Sequence, residues 1–441
     1  MRVFITGGTG HSGSHIIPEL IAAGHQVTGL ARSDTSASAL AALGARVRRG
    51  SLEDLDGLKE AAADSDGVIH VAHRQDLLPS GGMDAVASAE LPIMLAYGEA
   101  LAGSGKPLVA AGSIGSTGNL GRPGTETDPA LPVGVEDSGT LRARNIVEST
   151  VISLAEQGVR SSIVRIANIA HDTTDSAGFL PMLIALAKER GFAGYPGDGT
   201  NVWNAVHVRD LASVFRLALE KGPAGSYWHA VEDGGVSFRE IAESIGSRLG
   251  VPAVSIPLDE LMLPGYFGFL SNVVTQSFPT SNNVTRSTLG WQPTEPSLLA
   301  DLDNGHYFPV VTTADRDDVA TLARFVNASN KSEAMAMVDE GAVWHEAASL
   351  PWGGEWTGPE GFTRLTREID KVVELTVREH EIVQAGAAVE LRLDAEFTSR
   401  KSGRRLPMKV VEHYRVRDGR IYGADAYYKD TQAVNDLVEH G

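Results

Sequence analysis

The chain has 441 residues, 42% of them hydrophobic, with 48 glycines and no cysteine. That length exceeds one average domain and supports two cores, while the missing thiols exclude disulfides, cysteine nucleophiles and cysteine metal sites. A formal net charge of −18 argues against nucleic acid or an anionic membrane as partner, since both reward clustered Lys and Arg.

In chain order, short apolar runs at Arg2–Thr6, Gln26–Leu30, Ala45–Arg48, Gly67–Val71, Pro107–Ala111 and Ser161–Ile166 alternate with helical stretches. This pattern builds a parallel sheet covered on both faces, with its ligand crevice at the carboxyl ends of the strands. From Asp172 to Phe308 the pattern loosens into helices, loops and one or two further strands, as in a substrate lobe. Residues 314 to 340 give two helical segments. Residues 343 to 428 are mostly long alternating strands; Val389–Phe397 alternates strictly, as a sheet with one buried face should. Asp418-Gly419 reads as a two-residue hairpin turn. No apolar stretch is long enough to span a bilayer. The first residues lack the basic, apolar, small-residue order of a signal peptide, so a cytoplasmic protein is expected.

The first strand runs into glycines at 7, 10 and 13 and then into a helix. Such a turn presents free backbone N–H groups and a positive dipole end to a pyrophosphate, which marks Gly7, Thr9, Gly10, His11, Ser12 and Gly13 as a dinucleotide cradle. At the end of the second strand an acidic residue would hold a ribose 2′-OH, whereas an arginine accepts a 2′-phosphate. Arg32 and Ser33 therefore favour NADP(H), with Asp34 next door opposing that choice. His11 and His15 share helical spacing but lack a third ligand, so no metal site is expected there. His345-Glu346 lacks the second histidine of a zinc-protease helix.

Thr6-Gly-Gly-Thr-Gly-His-Ser-Gly13, Gly50-Ser-Leu-Glu-Asp54, Val68-Ile-His-Val-Ala-His73, Ala111-Gly-Ser-Ile-Gly115, Val206-His-Val-Arg-Asp210 and Leu289-Gly-Trp-Gln-Pro293 follow one another in register. With them residues 1–310 resemble the short-chain dehydrogenase/reductases, in the extended or atypical branch similar to NAD-dependent epimerase/dehydratases. The resemblance implies an α/β Rossmann-type doubly wound sheet with a substrate lobe mainly at 172–308. It puts Ser51 and Leu52 by the adenine, and Ala72 and His73 beside the cofactor. Ser51 departs from the aspartate usual at that position. The family pairs a Ser or Thr with Tyr-x-x-x-Lys, and Ser113 fits the first role. The matching helix reads Thr140-Leu-Arg-Ala-Arg144, with threonine for the tyrosine and arginine for the lysine. The usual proton donor is missing, and Ser113, Thr117, His73, His171 and Tyr195 are the candidate replacements. His207 and Asp210 read as loop-holding residues.

Val343-Trp-His-Glu346, Gly353-Gly-Glu-Trp-Thr-Gly-Pro-Glu-Gly361, Val416-Arg-Asp-Gly-Arg-Ile421 and Tyr427-Tyr-Lys-Asp430 resemble SnoaL-like polyketide cyclases of the nuclear-transport-factor-two-like superfamily. This implies an α+β cone over 314–438 with an apolar ligand in its mouth. A two-residue turn at Asp418-Gly419 puts Val416 opposite Ile421, Tyr414 opposite Gly423 and Glu412 opposite Asp425. That register aims two carboxyls into one pocket, with Asp425 as first acid/base, Glu412 as second, and His345 and Trp356 as walls. A register slipped by one residue would leave both outside.

The expectation is an NADP(H)-dependent reductase of a carbonyl or enone in a polyketide-like small molecule of secondary metabolism. Cyclisation, dehydration or isomerisation would follow in the tail pocket. The protein is expected to be homodimeric, without nucleic-acid, membrane or metal partners. A redox-neutral cyclase or isomerase with a structural cofactor, and an NADP(H)-sensing binding protein with a dimerisation tail, are the alternatives.

Overall fold

The computed structural model describes residues 1–131, 142–176, 178–261, 266–267, 270–308, 313–385 and 388–439. The chain divides into two compact units, Met1–Phe308 and Pro309–Gly441. Among the described residues no helix is long and apolar enough to cross a membrane.

In the first unit the strands are β1 (Arg2–Thr6), β2 (Gln26–Ala31), β3 (Arg46–Arg49), β4 (Gly67–His70), β5 (Pro107–Ser113), β6 (Arg160–Ile166), β7 (Ile169–His171), β8 (Ala193–Pro196), β9 (Val202–His207), β10 (Ser226–Ala230), β11 (Asp233–Ser237) and β12 (Ala253–Ile256). Helices α1 (His11–Ala22), α2 (Asp34–Ala42), α3 (Leu55–Asp64), α4 (Leu78–Leu101) and α5 (Arg142–Ser153) connect the early strands. The main sheet has the order β10-β6-β5-β4-β1-β2-β3, and its neighbours all pair in parallel. Two apolar clusters cover its faces, one around Ile5, Ile16, Val109 and Phe215, the other around Phe4, Leu58, Tyr97 and Val151. Burial on both sides explains why these strands are short unbroken apolar runs. All six expected strands of the sheet are present. A seventh, β10, comes from inside the stretch expected to be substrate lobe, and the helix Val208–Lys221 packs with it. The lobe residues thus interleave with the sheet layer. Two small sheets, β11-β9-β7 and β12-β8, complete the unit.

The second unit is α+β. Its strands are β13 (Val338–Glu346), β14 (Gly354–Thr357), β15 (Val373–Ala385), β16 (Ala388–Ser399), β17 (Arg405–Arg417) and β18 (Arg420–Tyr428). They form one sheet, β14-β13-β18-β17-β16-β15, antiparallel except where β13 runs alongside β18. Helices Thr313–Val326, Gly358–Val372 and Thr431–Glu439 pack on it. Along β16 buried and more exposed residues alternate from Val389 to Ser399, placing Leu391, Leu393, Ala395 and Phe397 in the unit's core.

Candidate functional site

The glycine turn is shaped by backbone packing. Gly7 has φ +79°, and a Cβ there would meet the Ala72 amide nitrogen at 2.5 Å. A Cβ on Gly13 would meet the Gly7 carbonyl oxygen at 2.2 Å. The Gly10 N–H donates to the Gly7 carbonyl at 3.0 Å, and α1 starts at the next residue. On Gly10 itself a Cβ would meet only the Gly7 oxygen, at 3.4 Å, so it would project into the cradle. The first-turn N–H groups of α1, from His11 to Gly13, have no acceptor within the helix and suit a pyrophosphate. Thr9 and Gly10 are exposed and Ser12 is half-buried. Ala72 and His73 follow β4, which lies beside β1 in the sheet.

At the end of β2, Arg32 is exposed. Asp34 is ion-paired at the surface with Arg49, the last residue of β3. The Ser33 hydroxyl caps α2, accepting from the Ser36 N–H at 3.1 Å. Ser51 and Leu52 follow β3; both are half-buried, and Leu52 packs on the apolar cluster beside α3.

Ser113 ends β5. Its N–H donates to Glu148 Oε1 at 2.9 Å, and its hydroxyl oxygen accepts from the Gly115 N–H at 3.2 Å, with no acceptor for its O–H among the described residues. Glu148 also accepts from the Ser116 hydroxyl at 2.9 Å and from Arg165 Nε at 3.2 Å. Thr140 lies outside the described residues. Arg144, in the lysine's place, reaches Glu90 and the Ala111 carbonyl, each at 3.3 Å. Of the other candidate donors, the Thr117 hydroxyl is buried and donates to the Ile114 carbonyl at 3.3 Å. His171 is buried against Asp301 at 2.8 Å, and the Tyr195 hydroxyl accepts from Arg239 at 3.0 Å. His73 is half-buried, its Nδ1 enclosed without a hydrogen-bond partner among the described residues. Burial, reinforced by the Arg144 charge, pushes its imidazole down to about 4. His207 Nδ1 accepts from the Arg209 N–H, and the Asp210 carboxylate accepts from the Thr294 and Glu295 N–H groups; both hold loops.

The sequence reading missed Asp172. Its carboxylate meets His11 Nε2 at 2.9 Å and His15 Nε2 at 3.1 Å, and Thr174 donates to it twice at 2.8 Å. Burial alone would raise this carboxyl, but the bonds from His11, His15 and Thr174 hold it well below the usual range. The His15 imidazole is correspondingly raised by its bond to Asp172. Among the described residues no group of ligands could hold a metal ion.

In the second unit one pairing expectation is corrected. The turn puts Arg417 opposite Arg420 and Val416 opposite Ile421, as expected, but a bulge follows. Tyr422 has no cross-strand partner, Arg415 pairs with Gly423 and Tyr414 with Ala424. Glu412 therefore faces Ala426, while Asp425 faces His413. One extra residue moves every later side chain of that strand to the other face. Asp425 lies outside, ion-paired with Arg415 at 2.5 Å and with His345 at 3.8 Å. His345 also meets Glu355, at 3.4 Å, so it is no pocket wall. Trp356 is half-buried and donates from Nε1 to the Trp352 carbonyl at 3.1 Å.

Glu412 keeps its inward place, and its carboxyl partner there is Glu346. That residue sits two positions after buried Trp344 on β13 and so shares its face. The Tyr428 hydroxyl donates to Glu346 and the Tyr414 hydroxyl to Glu412, each at 2.7 Å. Trp352 Nε1 donates to the Tyr428 hydroxyl at 3.3 Å. Trp344 meets Phe362 at a tilt, and Phe325 meets Phe362 edge-on and Tyr414 at a tilt. Burial pushes Glu346 up to about 7, with the nearby Glu412 charge adding to it; burial raises Glu412 as well. Period-two counting from Trp344 was the signal that could have found Glu346 in place of His345.

The profile of the NAD dependent epimerase/dehydratase family matches residues 3–229, and that of the SnoaL-like domain matches residues 319–424. An uncharacterized protein of Schizosaccharomyces pombe is 40% identical over 310 residues, which are 70% of this chain and 100% of that protein. The 4-hydroxy-2-methyl-3-oxo-4-farnesyl-3,4-dihydroquinoline-1-oxide ketoreductase of Stigmatella aurantiaca is 27% identical over 57% of this chain and 75% of its own length. Among solved structures, the Thermus thermophilus UDP-glucose 4-epimerase in complex with NAD superposes with a TM-score of 0.52 at 21% identity, covering 70% of this chain and 100% of that one. The chain belongs to the NAD dependent epimerase/dehydratase family and carries a SnoaL-like domain behind its Rossmann-type unit.

Proposed function

We propose that the protein is a cytoplasmic, homodimeric NADP(H)-dependent reductase of a carbonyl or enone in a polyketide-like small molecule, coupled to cyclisation, dehydration or isomerisation in the second unit. One observation carries the reading. The order β5-β4-β1 sets Ser113, whose O–H has no acceptor among the described residues, at the same sheet end as the glycine cradle. A nicotinamide held there supplies hydride transfer. The cradle amides and Arg32 would hold its phosphates, with Ser51, Leu52, Ala72 and His73 along its length. Ser113 would donate to the substrate carbonyl oxygen, on a backbone fixed by Glu148. The ketoreductase relative and the NAD-bound structure support this chemistry. In the second unit, two carboxyls raised by burial sit among aromatic rings. Glu346, raised to about 7, can exchange a proton near neutral pH beside Glu412, which suits chemistry beside a carbonyl.

The test is a titration with NADPH and NADH, followed by aromatic polyketide-like ketones while the reduced-cofactor absorbance is watched. NADPH binding with ketone-dependent oxidation is expected, and Ser113→Ala should slow that oxidation about 100-fold with NADPH binding retained. Unchanged turnover in this variant would remove Ser113 from the chemistry. A redox-neutral reading is favoured by one feature, the closure of Arg144 onto Glu90. Cofactor binding without oxidation would select it.

A further inference from the structure

Asp172 enters none of the chemistry above, yet its contacts fix where a proton sits beside the glycine cradle. One carboxylate oxygen, Oδ1, accepts the Thr174 N–H and the Thr174 hydroxyl at 2.8 Å each and His11 Nε2 at 2.9 Å. A carboxyl that accepts three such bonds is ionised. The other oxygen meets His15 Nε2 at 3.1 Å, so the proton of that contact belongs to the imidazole. His15 Nδ1 lies 3.0 Å from the His11 carbonyl oxygen, which can only accept. The Ser14 hydroxyl donates to the same carbonyl at 2.9 Å, so it too presents only its oxygen to the ring. Both nitrogens of His15 therefore carry hydrogen, and the ring is an imidazolium. The bond to Asp172 holds it in that form, raising the imidazole above its ordinary value.

Helix electrostatics make this an unusual place for a cation. His15 stands one turn, about 6 Å, along α1 from His11, and the first turn of a helix favours anions. The first turn of α1 carries no acidic residue; its anion is Asp172, brought in by the segment after β7 and 5% exposed. The other charges at His15 are Arg209 of the helix Val208–Lys221, which opposes its protonation, and Glu295, which pairs with Arg209 at 2.9 Å. The Tyr307 hydroxyl accepts the Asp172 N–H at 3.2 Å and donates to Asp175 at 3.3 Å. At the other end of α1, Arg216 pairs with Glu19 and His25 with Glu220. β2, packed on the same helix, has no charged residue.

We propose that His15, held as an imidazolium between Asp172 and the His11 carbonyl, is a fixed positive charge that helps the cradle to hold a dinucleotide pyrophosphate. The inference rests on the reading of the cradle as a cofactor site. His11 joins the two: its backbone N–H belongs to the cradle, and its ring meets the Asp172 carboxylate. Without the imidazolium that carboxylate would stand unopposed beside the cradle and repel the phosphates. With it the carboxylate is cancelled, and a bound pyrophosphate gains a nearby cation. His15 acts on the nucleotide through its charge and is a positioning residue. Binding and protonation are then linked, each favouring the other by the same factor. Affinity is full where His15 is charged in the free protein and falls as pH rises through its midpoint. Between the free and bound midpoints, each binding event takes up a proton.

The test titrates the full-length protein with NADPH over a range of pH. Calorimetry in two buffers of unlike ionisation enthalpy reads the proton uptake, and NMR of 15N-histidine-labelled protein reads the His15 midpoint. NADPH should raise that midpoint by about one unit, and affinity should fall about tenfold as pH passes through it. The 2′-phosphate of NADPH titrates by itself near about pH 6. His15→Gln keeps that contribution, should lose the rest, and should bind NADPH about tenfold more weakly where the wild-type ring is charged. Adding Asp172→Asn to His15→Gln should recover most of the affinity, which loss of a merely structural contact would not do. If His15→Gln does not fold, the midpoint shift in the wild-type protein still decides. A midpoint unmoved by NADPH, a wild-type pH dependence repeated in His15→Gln, or no recovery in the double variant would overturn the inference and leave the cofactor site standing. Failure to bind NADPH or NADH at any pH would overturn the cofactor reading, and this inference with it.

Discussion

Arg32 and Asp34 show how one neighbour decides a residue's meaning. Side by side in the sequence they give opposite indications for the cofactor, and in the fold Arg49 of β3 is ion-paired with Asp34 while Arg32 stays exposed. Arg32→Ala is therefore expected to weaken NADPH binding about tenfold or more, the size of a charge-assisted hydrogen bond, and to leave NADH binding nearly unchanged in the same fluorescence titration. Glu346 gives a second prediction, with a definite sign. Its folded-state carboxyl is raised to about 7, so between about 4.5 and 7 the folded state holds a proton that the unfolded chain has lost. Stability from this group is present below that window and is lost as pH rises through it, up to about 3 kcal/mol at 1.36 kcal/mol per unit. Denaturant unfolding of the second unit across that range should show the decline, and Glu346→Gln should flatten it. Glu412 was legible from strand alternation alone. Glu346 was equally legible, but its neighbour His345 drew attention as the more chemically familiar side chain.

Elements were readable where one rule governs them. Parallel strands buried on both faces appear as apolar runs, and all six expected in the first sheet are there. β10 escaped because Ser226–Ala230 is short and far along the chain from β6, its partner; sequence pattern does not encode such a pairing. The hairpin β17–β18 is the sharper case. Its turn follows from Asp418-Gly419, whose φ values of 51° and 73° match a type I′ turn. The bulge beyond it does not follow, because a glycine within a strand only hints at one. Gly423 has φ +146°, and a Cβ there would meet the Val343 carbonyl oxygen at 2.1 Å. Gly423→Ala is expected to cost at least about 2 kcal/mol. Thermal or denaturant unfolding measures the loss, and the same variant should disturb the Glu346–Glu412 pair, seen as a changed pH dependence of stability.

The whole molecule is two units, each with its own core, and the 40%-identical relative matches 310 residues, about the length of the first one. Residues 1–308 alone are therefore expected to fold and to bind NADPH as tightly as the full chain, and calorimetry of the full chain should show two transitions. The replacement for the family's tyrosine was the least legible feature of the first unit, because the matching helix reads Thr140-Leu-Arg-Ala-Arg144 and no local pattern names a substitute. The contact of Gly7 with Ala72 has a different reach. The segments that leave two neighbouring strands, β1 and β4, approach there backbone to backbone, with no side chain between them to adjust. The cradle is thus braced against the turn that follows β4, and its conformational entropy is lost when the chain folds rather than when a nucleotide arrives. A protein built this way presents a ready template, and its affinity for nucleotides reflects how well a phosphate matches a shape already set.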